Sequence, residues 1–591
     1  MAKKKRVPKP VPASEPETVK TSFFARHRVP LALAAGLLAL TWAVFQTISD
    51  FSLLTFGDRE VITANSVVSG GLSADSWSYV FWNRAAGNWT PLTWISHMAD
   101  TSFDTNRHQT NLLLHLLASG LFFTALYWLT GDVWLSFAAA AFFALHPLRA
   151  QSVAWVAQRG GLLAGVFMFL SLAAWAWWKR WGDGGWGAYA LALAAYVLAL
   201  MSSPSAAVLP VVLMLLEFWP LASDVWAWRD KLPFVGLSLG AIGLWIMRSP
   251  NNANWSVVEA LWPALFNTFW PVALSPIPGT PAPGYGPMAG WTALAVLAGL
   301  IVIVSDKHRF LLTGLGWFVA ALVASVSLTE FNWHAYSDRL TYFAHAGLGI
   351  VLVWLGRALL GARASYVAIP LGLVMAWQCW VQLSYWRNDE TLIARAVEVN
   401  PSDSRALSLL AQEYLQRRDM ERAIGFLHRA VAASPRSAEA RLELAQALQL
   451  HRDHAAALEQ VDRALKLDPK SGRAQFQRGS VLMAMERKPE ASAAFLAALE
   501  RGVPPEMRQG SLVNLGLLES SAGHLPEAVR YFGLVLERDP KHYTARRELG
   551  LVRWKQGRWT EAREELERLG PAGRRDDEVS KALQDLRGRV K

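Results

Sequence analysis

From about residue 30 to residue 385 one pattern recurs: an apolar run, then a polar connection. The runs fall at roughly 31–48, 111–129, 133–147, 162–178, 186–201, 205–219, 233–248, 289–304, 309–328, 341–360 and 365–383. Each approaches the ~20 residues that cross a bilayer. A further apolar segment, 257–275, is interrupted by Pro263 and Pro271 and reads as an interfacial or re-entrant helix. The first connection, 49–110, is far longer than a link between two helices requires. Beyond residue 385 the apolar positions thin to a helical stripe and the sequence becomes charged.

The charged half repeats. Pro401, Pro435 and Pro469 are 34 residues apart, and Pro504 and Pro540 continue the series. Small residues recur in register at Ala423 and Ala430, Ala457 and Ala464, Ala491 and Ala498, Ala528 and Ala562. Leu515-Gly516 and Leu549-Gly550, with Gly479, mark where paired helices approach closely. This is the tetratricopeptide period, a helix-turn-helix unit that buries its apolar face only by stacking on neighbours. Five units are expected over 401–569, with a docking helix near 388–399 and a closing polar helix near 575–588. The fold class is therefore all-α: a polytopic transmembrane bundle of about 11 spans over 29–385, then a tetratricopeptide-repeat α-solenoid over 386–591.

Charge sets the orientation. Residues 1–28 carry eight Lys/Arg against two Glu, so this tail accounts for +6 of the net charge of +11. Lys3-Lys4-Lys5-Arg6 before a hydrophobic helix fits the positive-inside rule better than a nucleic-acid patch, so no nucleic-acid partner is expected. The Pro-rich tail itself should be disordered. With the N-terminus in the cytoplasm, Lys179-Arg180, Arg229/Lys231, Lys307/Arg309 and Arg357/Arg363 all fall inside. The loop 49–110, the turn His146–Arg159, the loop Phe331–Tyr342 and everything after 385 then fall outside. Of 29 Trp, 27 precede residue 390, as interfacial anchors would. The lone Cys379 permits no intrachain disulfide.

Three external segments hold the candidate chemistry. The first loop supplies Asp58, Glu60 and His97, the second His146 and Arg159, the third Asp338 and Arg339. A carboxylate at the membrane face can take a proton from an acceptor hydroxyl, and the planar donors of Arg match phosphate oxygens. The bland alternative is that Asp338 and Arg339 pair with each other and Arg159 snorkels. No helical histidine pair, Gly-rich phosphate loop or nucleophile elbow occurs. No metal site is expected, although a divalent cation as cofactor stays open.

Asn88-Trp89-Thr90-Pro91-Leu92-Thr93-Trp94, Ser96-His97-Met98, Asn111-Leu112-Leu113-Leu114-His115, Ala144–Arg159 and Asp338-Arg339 resemble the transmembrane and tetratricopeptide-repeat O-mannosyltransferases and their bacterial relatives, in the GT-C superfamily. The resemblance spans about residues 45–570. It implies an inverting transfer of a sugar, such as mannose, from a polyprenyl-phosphate donor to a protein hydroxyl. The repeat groove would hold the protein or peptide acceptor. It also implies a bacterial inner membrane with the repeats periplasmic, or the endoplasmic reticulum membrane in a eukaryote. The family's acidic pair maps to Gly57-Asp58, making Asp58 the catalytic carboxylate, with Glu60 pointing the same way if the loop is strand-like. Arg159 and Arg339 would bind the donor phosphate. Several charged positions of the bacterial pattern are replaced, at Gly57, Thr90, Arg149, Gln151, Gln158, Gly160, Gly161 and Ser203. The competing reading is a degenerate membrane scaffold whose repeats recruit envelope or assembly partners.

Overall fold

The computed structural model describes residues 23–55, 57–82, 89–181, 185–222, 228–248, 257–276, 289–293, 295–296, 299, 308–328 and 337–589, with residues 23–27, Glu60, Trp181, Arg248 and Glu259 described in their backbone alone. The basic tail up to residue 22, most of the expected span 289–304, Asn88 and residues 331–336 of the third loop lie outside them. Among the described residues every regular element is helical. The chain divides into two compact units, Met1–Leu392 and Ile393–Lys591.

In the first unit every expected span except 289–304 coincides with a helix: Phe23–Phe45, Arg107–Thr130, Val133–Leu145, Arg159–Trp181, Gly185–Leu200, Pro204–Phe218, Leu232–Arg248, Arg309–Leu328, Ala344–Leu360 and Ala364–Ser384. Six apolar stretches are long enough to cross a membrane by length and composition. Local chemistry fixes the ends. Gly131 takes φ +75° at the close of the second helix, and Asp132 accepts the Trp134 and Leu135 N–H groups at the start of the third. A left-handed glycine followed by an acidic N-cap turns the chain in two residues. The segment 257–275 is helical only over Val257–Phe269, with Pro263 inside.

The first external loop is not strand-like. Asp58 has helical dihedrals (φ −67°, ψ −35°) and opens a π-helical turn, Arg59–Thr63. Short helices follow at Ser66–Ser69, Ala74–Trp82 and Pro91–Ser102. The alternation that would send positions 58 and 60 the same way requires extended backbone, and this turn is helical. Extended alternation failed because this loop buries its own core, Ile62, Val68, Val80 and Met98.

The second unit is a run of helix pairs, from Ser404–Gln416 with Met420–Ala433 to Tyr543–Lys555 with Trp559–Glu567. Helices Asp389–Val399 and Asp577–Arg589 lie where the flanking helices were expected. Asp403, Asp419, Ser437, Asp453 and Ser471 each cap a helix by accepting backbone N–H groups. The in-register alanines are fully buried. A Cβ added at Gly479 would lie 2.8 Å from Phe495, one at Gly516 2.6 Å from Phe532, and one at Gly550 2.5 Å from Leu566. These glycines are where the paired helices touch.

Candidate active site

The second external segment forms the floor of the site. Helix Val133–Leu145 stops at His146, whose extended backbone (φ −66°, ψ 137°) is what a following proline, Pro147, demands. A single buried helical turn, Arg149–Ala154, and a 3₁₀ turn, Val156–Gln158, then lead into Arg159–Trp181. Such irregular buried backbone needs partners at membrane depth. Asn111 supplies some, donating Nδ2 to the carbonyls of Val153 (3.1 Å) and Trp155 (3.4 Å).

Asp58 supplies another. Its Oδ1 accepts the Ala157 N–H at 2.7 Å and its Oδ2 the Leu54 N–H at 3.0 Å, and the side chain is wholly buried. Burial outweighs these two bonds and the nearby Arg159 charge. The carboxyl is pushed up to about 7, with Asp389 adding to the rise. Asp389 in turn accepts from the Thr55 N–H and hydroxyl at 3.0 and 2.7 Å, and the Arg387 carbonyl accepts from Ser52. The loop is thus stapled to residues 387–389.

Arg159 is fully engaged. It pairs with Asp100 at 2.5 Å, donates Nε to Asn111 Oδ1 at 2.9 Å, and reaches the Arg107 carbonyl at 2.9 Å and Ser96 at 3.3 Å. His97 is buried beside it, and among the described residues neither ring nitrogen has a hydrogen-bond partner. Burial, and then the Arg159 and Arg107 charges, hold its pKa well below the usual imidazole range, so it is neutral.

Arg339 approaches from the other side, its guanidinium 5.5 Å from the centre of the Trp155 ring. Burial lowers its pKa, but the delocalised guanidinium stays charged. Gln151 fixes the turn, its Oε1 accepting from the Ser337 hydroxyl and the Arg339 N–H, both at 2.9 Å. Asp338 is buried and accepts from Asn267 at 3.3 Å. His146 belongs to a neighbouring cluster. Its Nε2 lies 3.0 Å from the Thr268 carbonyl, and its ring packs edge-on against His345 at 4.6 Å. Arg149 donates to Thr341 at 2.7 Å, and Thr341 to the Asp338 carbonyl at 2.7 Å.

The structure therefore gathers Asp58, Arg159 and Arg339 about residues 155–159, with His97 beside Arg159, and sets His146 and Asp338 in the adjoining cluster. The Glu60 side chain lies outside the described residues. Sequence reading did not give Asp100, Asp389, Thr268 or His345 their roles. Their partners are far along the chain, and no local spacing announces them. Two replaced positions acquire a steric reason. Gly57 takes φ +80°, and a Cβ there would lie 2.8 Å from Trp155; one at Gly160 would lie 2.9 Å from the Ser202 carbonyl.

The tetratricopeptide repeat family model matches residues 390–438, 409–472, 442–505 and 513–576. The C-terminal unit is a tetratricopeptide-repeat domain. The chain is also similar to protein O-mannosyl-transferase Tmtc2 of Drosophila melanogaster, 33% identical over 142 residues, covering 22% of this chain and 15% of that protein. Human TMTC2 is 27% identical over 154 residues, covering 24% and 18%. The matches thus span less than a fifth of either relative. Among solved structures, YrrB, described as a TPR protein with an unusual peptide-binding site, is 22% identical, covering 33% of this chain and 97% of that one at a TM-score of 0.28. PilF of Pseudomonas aeruginosa is 25% identical, covering 32% and 90%, also at 0.28.

Proposed function

We propose that the chain is an integral-membrane glycosyltransferase of the O-mannosyltransferase kind, with its repeat domain holding the protein acceptor outside the membrane. The observation that carries this reading is the meeting of a carboxyl and a cation at one segment: Asp58 bonded to Ala157 and Arg339 over Trp155. In the reaction the acceptor hydroxyl oxygen attacks the sugar C1. The bond from C1 to the phosphate oxygen breaks, the phosphate leaves on its polyprenyl chain, and the hydroxyl proton passes to Asp58. Each Asp58 oxygen keeps a lone pair beyond the bond it accepts, and the segment 51–63 that covers it must open to admit substrate. Arg339 meets the donor phosphate, and Arg159 does so by exchanging Asp100 for it. His97, Asp338, Glu60 and His146 frame the substrates. The resemblance supports a bacterial inner-membrane or endoplasmic-reticulum location.

The scaffold reading has its own support. Arg159 already spends its donors on Asp100, Asn111, Ser96 and Arg107, and Asp58 caps two amides. Residues bonded this completely also serve architecture alone. Membranes holding the wild-type chain, supplied with a labelled polyprenyl-phosphate mannose and envelope protein, separate the two. Transfer that Asp58→Asn abolishes supports the enzyme; absence of any glycan with wild type leaves the scaffold.

A further inference from the structure

The repeat domain contains a cleft of about 530 Å³ formed by three consecutive first helices of its units, Ala438–Leu450, Gly472–Ala484 and Pro505–Ala522. Its lining is specific in what it contains and what it omits. Gln446, Gln449 and Gln477 present carboxamides, each able to donate and accept. The Gln446 and Gln449 side chains make no hydrogen bond among the described residues, whereas Gln477 donates Nε2 to the Leu442 carbonyl at 2.9 Å and keeps its oxygen. Leu450, 57% exposed, joins Phe476 and Met507 as an apolar strip. Arg452 and Arg473 also line the cleft, and no carboxylate does. Arg473 is paired with Glu439 at 2.5 Å, while Arg452 has no ion pair among the described residues.

We propose that this cleft binds an extended acidic polypeptide segment in which aliphatic and acidic residues lie close together. This proposal rests on the reading that the repeat domain holds a protein partner, not on sugar being transferred. Carboxamides free on one face match the alternating N–H and C=O of an extended backbone, which a compact globular partner has already paired. The apolar strip would take the aliphatic side chain. Glu439 already occupies Arg473, so the unpaired Arg452 would take the carboxylate.

Fluorescence anisotropy on the full-length protein in nanodiscs tests this with three labelled nonapeptides, built from three copies of Ser-Glu-Leu, Ser-Lys-Leu or Ser-Glu-Ser. The Ser-Glu-Leu peptide should bind at least about ten-fold more tightly than either of the others, and more weakly as salt rises. Arg452→Glu should weaken its binding about ten-fold and narrow or reverse the preference over the lysine peptide. Arg418→Glu, at the equivalent turn one unit earlier and outside the cleft, should change nothing. The double variant Gln446→Ala with Gln449→Ala should weaken all peptides alike. Equal affinity for the three peptides, no binding of any, or an Arg418→Glu effect as large as that of Arg452→Glu overturns the proposal. Retained peptide selectivity in a chain that transfers no sugar sinks the transferase reading and leaves this one standing.

Discussion

An aspartate buried between two backbone amides changes both stability and reactivity with pH. Burial raises the Asp58 carboxyl from 3.8 to about 7. Between those values the folded state holds a proton that the unfolded state releases, so stability falls as pH rises across that window and levels off above it. The full effect is at most about 4 kcal/mol. Asp58→Asn, which is uncharged throughout, should flatten that decline in a melting series from pH 4 to 8. If Asp58 is the base, the transfer rate should rise through pH 7 and level off, and Asp58→Asn should lower it by ~10²–10⁴. A rate that ignores pH between 6 and 8 argues for architecture. Arg339 has its own test: Ala should weaken donor binding by about 10–100-fold, and Lys by less, because it keeps the charge without the fork. Equal binding by all three forms removes Arg339 from the donor site. Asp58 was singled out in sequence only through a family resemblance, and its bonds to Leu54 and Ala157 were not announced there. The Arg159–Asp100 pair joins residues of two elements, and Asp389 lies 334 residues from Thr55; only folding reveals such pairings.

Elements were legible wherever side-chain period dictates packing. Gly479, Gly516 and Gly550 could be read as close-approach points because the last three units each place a glycine where the first two carry the small buried residues Ala411 and Ala445. Gly516→Ala should therefore destabilise the repeat domain by about 1–3 kcal/mol through overpacking against Phe532. Gly533→Ala, with nothing within 4 Å, should instead stabilise its helix by up to about 1 kcal/mol. Melting temperatures moving in opposite directions would support this account; a matching fall would refute it. The turns inside the first three units carry Arg418, Arg452 and Glu486 at φ +62°, +66° and +59°, where later units use Gly523 and Gly557. Arg418→Gly should relieve about 1 kcal/mol of left-handed strain, visible as a higher melting temperature. The first external loop was not legible, because its short helices pack on each other instead of following one long period.

At the scale of the molecule, orientation depends on which loops share an end of the bundle. Helix Arg159–Trp181 connects two polar clusters. Its start meets Asp100, Asn111 and the segment reached by Asp58. Near its other end, Lys179 pairs with Glu217 at 2.7 Å and Asp230 at 3.1 Å, while Lys231 pairs with Glu217 and, at 2.9 Å, with Asp230. That second cluster draws the ends of three helices to one side, and it is the side carrying Arg180 and Arg229. The carboxylates neutralise the lysines in the folded state. They do not cancel the topological signal, which counts Lys and Arg near span ends and gives Asp and Glu little weight. The Lys179 end should therefore be cytoplasmic, and the end bearing Asp58, Arg159 and Arg339 external. The odd number of spans expected from the sequence would then send the repeat domain outside as well. A periplasmic-only reporter fused after Lys591 should be active, and one inserted between Trp181 and Gly185 silent. Reversed signals would put the site in the cytoplasm, where a transferase acting on external acceptors could not work, and would end the proposed function together with the topology.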